Sequence, residues 1–294
     1  MRLDDFDDGI QVQDQRGGGF GGGGGFGGGG IGSLIFGLLP MLLGRRIGCW
    51  AIAILAIGGY FLFSSGGMQL GNVGSTNQNA TGQAGTDTAS SCNIDAGSKE
   101  ACNTLSSLDK TWAQILPGYT RPTLVFYSNQ GQSGCGAAQS AMGPFYCPSD
   151  QGVYLDTAFF KQMEQQLGAG GDFARSYVIA HEVGHHIQKL TGDADRIRQA
   201  QQRASQADGN HLQVAMELQA DCYAGVWAAK NAGKMDPSDF QEGMTAANSI
   251  GDDTLMRNAG QRPVESMFTH GTSEQRMAAL RRGMQTGNPS ACKI

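Results

Sequence analysis

His181-Glu182-Val183-Gly184-His185 is the run whose residue types and spacing spell out a reaction. On a helix, positions i and i+4 share a face, so the two imidazoles can reach one cation. Neutral imidazole suits Zn²⁺. Glu182 falls beside the pair, where a carboxylate can take a proton from water activated by that cation. The plainer alternative is a buried helix whose two histidines are satisfied by hydrogen bonds. A catalytic zinc usually takes three protein ligands and leaves one position open, so a third must come from elsewhere. The run Glu217-Leu218-Gln219-Ala220-Asp221 offers one. Glu217 and Asp221 share a helix face that continues through the small residues Ala224, Gly225 and Ala228. Acidic groups on an otherwise apolar face are costly unless paired or bound to a metal. Glu217 is expected as the third ligand. Asp221 is expected behind a ligand histidine, accepting its other N–H and fixing its tautomer. The alternative, two solvated surface charges, sits poorly with the mostly apolar stretch 216–229.

These residues need elements to hold them. Asp172 can N-cap a helix, with Phe173, Tyr177, Val178 and Ala180 as an apolar stripe leading into His181. That helix can run to about residue 190, with Thr191-Gly192 as its stop. His186 points about 100° away from the metal-facing pair, which gives it a supporting or structural place. Gly184 leaves room for another backbone to approach. Asn210 and Gly233 bound the second helix as N-cap and stop. Ahead of them, residues 122–128 and 152–156 read as short strands with a Gly- and Cys-containing stretch, 131–143, between. From Phe159 the pattern turns helical: 159–167, 173–190, 193–207, 211–231, 237–257 and 273–285. Asp236-Pro237 makes a good helix opening. Asp252-Asp253 reads as structural. The fold class is α+β, a small sheet followed by a helical body in one domain over residues 92–294.

The pairing of HEVGH with E-x-x-x-D resembles the gluzincin class of zinc metallopeptidases, in which the second-helix Glu is the third ligand. The longer string is more specific. Gly143-Pro144-Phe145-Tyr146-Cys147-Pro148, Val153-Tyr154-Leu155-Asp156, Tyr177-Val178-Ile179-Ala180-His181, Ile250-Gly251-Asp252-Asp253 and Phe268-Thr269-His270-Gly271-Thr272 resemble the bacterial family of neutral zinc metallopeptidases, over roughly residues 100–294. The resemblance implies a zincin-like domain and an edge strand near the zinc helix, supplied by the 146–156 region, that pairs with extended substrate. It also implies a role for the run from Thr269 to Arg276. In membrane-associated gluzincins a His and an Arg downstream of the ligands face the substrate oxyanion, which here would be His270 and Arg276. Thr272 and Gln275 form a capping-box pattern, so His270 precedes a helix start, where a donor can stabilise a developing oxyanion. The plainer alternative is a turn histidine, with Arg276 on a solvated helix face.

The N-terminal third differs in kind. Residues 1–16 are polar and acid-rich, and 17–30 are almost all glycine, so 1–30 is expected as a disordered, cytoplasmic segment. Two apolar runs follow, 31–44 and 47–63, divided by Arg45-Arg46. The first is short and holds Pro40, which suits an interfacial or membrane-dipping segment. The second has 17 uncharged residues, at the lower limit for a transmembrane helix. The region 31–64 is thus expected as a single-pass anchor, and the Gly-, Ser- and Asn-rich 65–91 as a flexible linker. No Lys or Arg occurs from Ser64 to Ser98, so the positive-inside rule places the N-terminus in the cytoplasm and the domain outside a bacterial inner membrane. Cys49 lies in the anchor. The other six cysteines, Cys92, Cys102, Cys135, Cys147, Cys222 and Cys292, fall on the outer side, where an even count suggests three disulfides. Fifteen pairings are open; locality favours Cys92–Cys102 and Cys135–Cys147, leaving Cys222–Cys292.

The net charge of −5 gives no reason to expect nucleic acid. The expected activity is a membrane-anchored zinc endopeptidase acting on proteins or peptides, with His181, His185 and Glu217 on the metal, Glu182 as general base and His270 at the oxyanion. One rival is a non-catalytic envelope assembly or chaperone-like protein with a structural zinc. A closed four-ligand site would mark that case and an open three-ligand site the enzyme. A second rival keeps the hydrolysis but acts on other amides, such as cell-wall peptides.

Overall fold

The computed structural model describes residues 1–16 and 87–293. The expected glycine-rich segment, the anchor at 31–64 and most of the linker lie outside the described residues. Among the described residues no helix is long and apolar enough to cross a membrane.

The chain opens with strand β1 (Gln11–Asp14). Helices α1 (Thr88–Cys92) and α2 (Ala96–Ile115) follow, then strands β2 (Thr123–Phe126), β3 (Gln130–Ser133), β4 (Gly136–Gln139), β5 (Phe145–Cys147) and β6 (Gly152–Leu155). The rest is helical: α3 (Ala158–Leu167), α4 (Asp172–Thr191), α5 (Asp193–Gln201), α6 (Gln206–Lys230), α7 (Asp239–Ser249), α8 (Asp252–Asn258) and α9 (Ser273–Thr286). The α+β class therefore holds. The main sheet runs β1-β2-β6-β5; its first three strands are parallel and β5 is antiparallel to β6. β3 and β4 form a separate hairpin.

The expectation of disorder does not extend to residues 1–16. Gln11–Asp14 pairs in register with Thr123–Phe126, and Met1 and Ile10 are buried in the main core. The Met1 amine lies 3.0 Å from Asp239 and 2.5 Å from Asp172. A polar strand with one apolar residue gives little signal by itself, because its partner supplies the order. The linker also ends early, since Thr88–Cys92 is already helical.

Helix α2 was not expected. Asp95 caps it by accepting from the Ser98 N–H at 2.7 Å. It buries Ala101, Cys102, Leu105, Leu108 and Trp112 on one face. Buried Ser98, Thr104, Ser106, Ser107 and Thr111 dilute that stripe and hide it from a hydrophobicity count. The expected single helix 237–257 is two, α7 and α8, broken at Ile250-Gly251. A side chain at Gly251 would collide with the Ser273 backbone, so α9 sets the break.

At the centre α4 crosses α6, and α9 packs along the far side of α6. Each crossing is set by glycine. A Cβ at Gly184 would stand 2.9 Å from the Ala220 backbone. Gly225 and Gly283 meet backbone to backbone, and a methyl group on Gly225 would run into the Leu280 carbonyl oxygen. Phe173 stacks on Trp227 beneath this layer, with ring centroids 6.2 Å apart. Three disulfides close the fold, Cys92–Cys102, Cys135–Cys147 and Cys222–Cys292, as locality suggested. The last ties the C-terminal turn to α6.

Candidate metal centre

Helix α4 begins one residue before its apolar stripe. Gly171, at φ 107°, takes the N-cap place expected for Asp172, which lies in the first turn. The Phe173 N–H is satisfied instead by Glu242 of α7 at 3.1 Å. Any side chain on Gly171 would overlap that carboxylate. The helix ends at Gly192, φ 81°, the expected stop. Helix α6 starts earlier than the expected Asn210: Ser205 accepts from the Asp208 N–H at 3.2 Å, and Asn231 rather than Gly233 ends it.

The crossing of the two helices brings His181, His185 and Glu217 together, with their ligand atoms all within 4.8 Å of one another. Glu217 Oε2 is 3.1 Å from His181 Nε2 and 3.5 Å from His185 Nε2. The other nitrogen of each ring is committed. His181 Nδ1–H donates to Asp221 Oδ1 at 2.7 Å, and His185 Nδ1–H donates to Gln188 Oε1 at 2.8 Å. Gln188 is fixed in turn by donating to the Met216 carbonyl and to Gln219. With both Nδ1 atoms donating, two Nε2 lone pairs and a carboxylate converge. A proton between them satisfies one pair; a divalent cation satisfies all three, and the His-His-carboxylate set suits zinc. The group holds three candidate ligands, with no fourth His, Cys, Asp or Glu among the described residues.

Asp221 is fully buried and takes four hydrogen bonds. It accepts from His181, from the Tyr177 hydroxyl at 2.6 Å, and from Arg276 Nε and Nη2, each at 2.9 Å. Burial would raise its pKa, but Arg276 and His181 outweigh burial and hold it at about 2. Arg276 therefore does not face an oxyanion, nor does it lie on a solvated helix face. It is buried, and it forks onto the carboxylate behind His181. Burial likewise opposes ionisation of Glu217, yet His185 and His181 drive its pKa well down.

Glu182 is buried beside the ligands and is not one of them. Burial raises its pKa, as does the Glu217 charge; His181, His185 and the Tyr146 backbone N–H counteract part of the rise. Tyr146 lies on the outer strand β5, which runs beside Glu182. The Tyr146 hydroxyl donates to His186 Nδ1 at 3.0 Å, and His186 Nε2–H donates to the Thr120 carbonyl at 2.7 Å. Burial lowers the His186 pKa, so the ring is neutral and takes the supporting place expected of it.

His270 sits close enough to Glu217 for its charge to be felt there. Asp252 builds its loop. Asp252 Oδ2 accepts the N–H groups of Thr269, His270 and Gly271 at 2.7, 2.7 and 3.1 Å, and Oδ1 accepts His270 Nδ1–H at 3.0 Å. The capping box of Thr272 and Gln275 is present. Asp252, Tyr177, Gln188 and Tyr146 were not singled out as site residues. Tyr177 carried a signal, lying four residues before His181 on the same face. Asp252 is 18 residues from His270, and no local pattern links them.

This architecture, a zinc-type triad on two crossing helices beside an edge strand, defines a metallopeptidase-like class. Over residues 1–294 the chain matches the family described as "Putative neutral zinc metallopeptidase", and it belongs to that family. It is 42% identical over 251 residues to "Uncharacterized protein YpfJ" of Escherichia coli (strain K12), covering 83% of this chain and 85% of the relative. It is 42% identical over 200 residues to "Uncharacterized protein Mb2605" of Mycobacterium bovis and to "Uncharacterized protein Rv2575" of Mycobacterium tuberculosis, covering 64% of this chain and 67% of each relative. No solved structure matches.

Proposed function

We propose that the protein is a zinc-dependent endopeptidase, tethered to a bacterial inner membrane through residues 31–64, with its domain on the outer side. The observation that carries the enzymatic reading is the count of ligands among the described residues: three candidate donors would leave a tetrahedral ion one open position, whereas a structural site is closed by a fourth. His181, His185 and Glu217 would hold the zinc, which when bound would polarise the scissile carbonyl and make water acidic enough to react. Glu182 accepts the proton of the attacking water and returns it to the leaving amine. Its raised pKa suits both halves of that transfer. An extended peptide adds to the free edge of β5, whose Tyr146 already reaches Glu182. Asp252 orients His270 through Nδ1, which leaves Nε2 as the atom to serve the oxyanion.

The test uses the full-length chain, because residues 1–16 belong to the fold. Incubation with an unbiased peptide library should give cleavage that a chelator abolishes. Glu182→Gln should keep its zinc and lose about 10²–10⁴-fold in turnover. His181→Ala and Glu217→Ala should lose the metal itself. A parent protein that retains zinc yet cleaves nothing would favour the assembly-factor reading instead.

A further inference from the structure

We infer that residues 1–16 fold into the sheet of their own chain, so that they and residues 87–293 stand on one side of any membrane the apolar runs enter. This inference does not depend on the peptidase reading. It replaces the arrangement with the N-terminus in the cytoplasm and the domain outside.

The N-terminal segment is built into the domain along its whole length. Arg2 N–H donates to the Lys234 carbonyl at 2.7 Å, beyond the end of α6. Phe6 N–H donates to Asn103 Oδ1 at 3.0 Å, and Asp7 N–H to Ser106 Oγ at 3.3 Å, both on α2. Ile10 is 4% exposed in the main core. Strand β1 then runs four residues in parallel register with β2. Arg16 closes the segment. Its guanidinium pairs with Asp14 and lies 4.3 Å over the Phe126 ring. It also donates to Ser98 Oγ at 2.6 Å and to the Ser91 carbonyl at 2.8 Å.

That last contact fixes the topology. Arg16 precedes the stretch with the apolar runs and Ser91 follows it, and the two touch. Strands sharing backbone hydrogen bonds cannot be divided by about 30 Å of hydrocarbon. A single crossing between Arg16 and Ser91 is therefore incompatible with the fold, and the number of crossings is even. The sequence supplies two apolar runs, 31–44 and 47–63, with Arg45-Arg46 between them. Any membrane entry by these runs must therefore begin and end on the same face. The positive-inside rule then favours the cytoplasmic side for Arg45-Arg46 rather than for the N-terminus.

Thr123 Oγ1 donates to Gln11 Oε1 at 3.1 Å, so side chains at these paired positions meet. The experiment uses full-length protein carrying Cys49→Ser, in intact spheroplasts. Gln11→Cys with Thr123→Cys should form an intrachain disulfide on mild oxidation, identified by mass mapping. Separately, Gln11→Cys and Lys161→Cys, the latter on exposed α3, should react with a membrane-impermeant maleimide to equal extents. Labelling of position 161 before permeabilisation and of position 11 only afterwards overturns the inference. A disulfide-linked dimer in place of the intrachain bridge also overturns it, because the strand would then belong to a neighbouring copy.

Discussion

At the scale of single residues, the centre depends on a carboxylate that touches no metal position. Asp221 is held by Arg276 and Tyr177 and in turn fixes the His181 tautomer. Its replacement by Asn keeps the shape and removes the charge. Asp221→Asn is expected to weaken zinc binding about 10–100-fold, the usual effect of losing the group behind a ligand histidine. It should also destabilise the fold by roughly 3–5 kcal/mol, because it strands the buried guanidinium of Arg276. Competition with a chelating dye and denaturant melts read the two effects separately. Unchanged zinc affinity beside a large loss of stability would confine Asp221 to the fold. Glu182, by contrast, has only Tyr146 and the two histidines against its burial, which is why its substitution should spare the metal.

At the scale of elements, the triad is as good as the two helix crossings that aim it. Gly225 and Gly283 let α9 lie directly on α6, and α9 carries Arg276 to Asp221. Gly225→Ala forces these helices apart. It is expected to cost about 1–3 kcal/mol by overpacking and to lower zinc affinity with it, whereas an alanine at Gly233, where nothing lies within 4 Å of the added methyl, should do neither. The two ligand helices were legible in the sequence because their apolar positions recur at helical spacing and end at a glycine or at a cap. The convergence of His181, His185 and Glu217 was readable from that spacing. What stayed illegible has particular causes. Helix α2 buries hydroxyls among its apolar residues, so its stripe looks polar. Arg276 was open to two readings, an oxyanion donor or a surface charge, because nothing local shows that Asp221, 55 residues away, takes it inside. Strand β1 owes its order to a partner more than a hundred residues on.

At the scale of the whole molecule, buried charge sets how stability follows pH. Asp109 on α2 is buried, and burial lifts its carboxyl to about 6 against the pull of the Tyr119 hydroxyl and Arg121. A carboxyl raised in the folded state contributes stability that is fully present below its unfolded value of 3.8 and is lost as pH rises through about 6. Between pH 4 and 7.5 the loss amounts to at most about 3 kcal/mol for a shift of this size. Asp109→Asn keeps an acceptor for Tyr119 and does not titrate. Its stability relative to the parent should therefore rise from pH 4 to pH 7.5, as read by urea melts at each pH; a constant difference would remove Asp109 as the cause. The sheet carries a consequence of another kind, in time. Gln11 and Thr123 lie 112 residues apart. At about 5–20 residues per second of synthesis, the first strand leaves the ribosome several seconds before its partner exists. Until then β1 has nothing to pair with, and a sheet that lacked β1 would present β2 as an open edge of the kind that recruits foreign strands. The polar run Gln-Val-Gln-Asp is a poor seed for aggregation while it waits. The earlier strand thus waits for its partner, and once paired it becomes the edge of the sheet in place of β2.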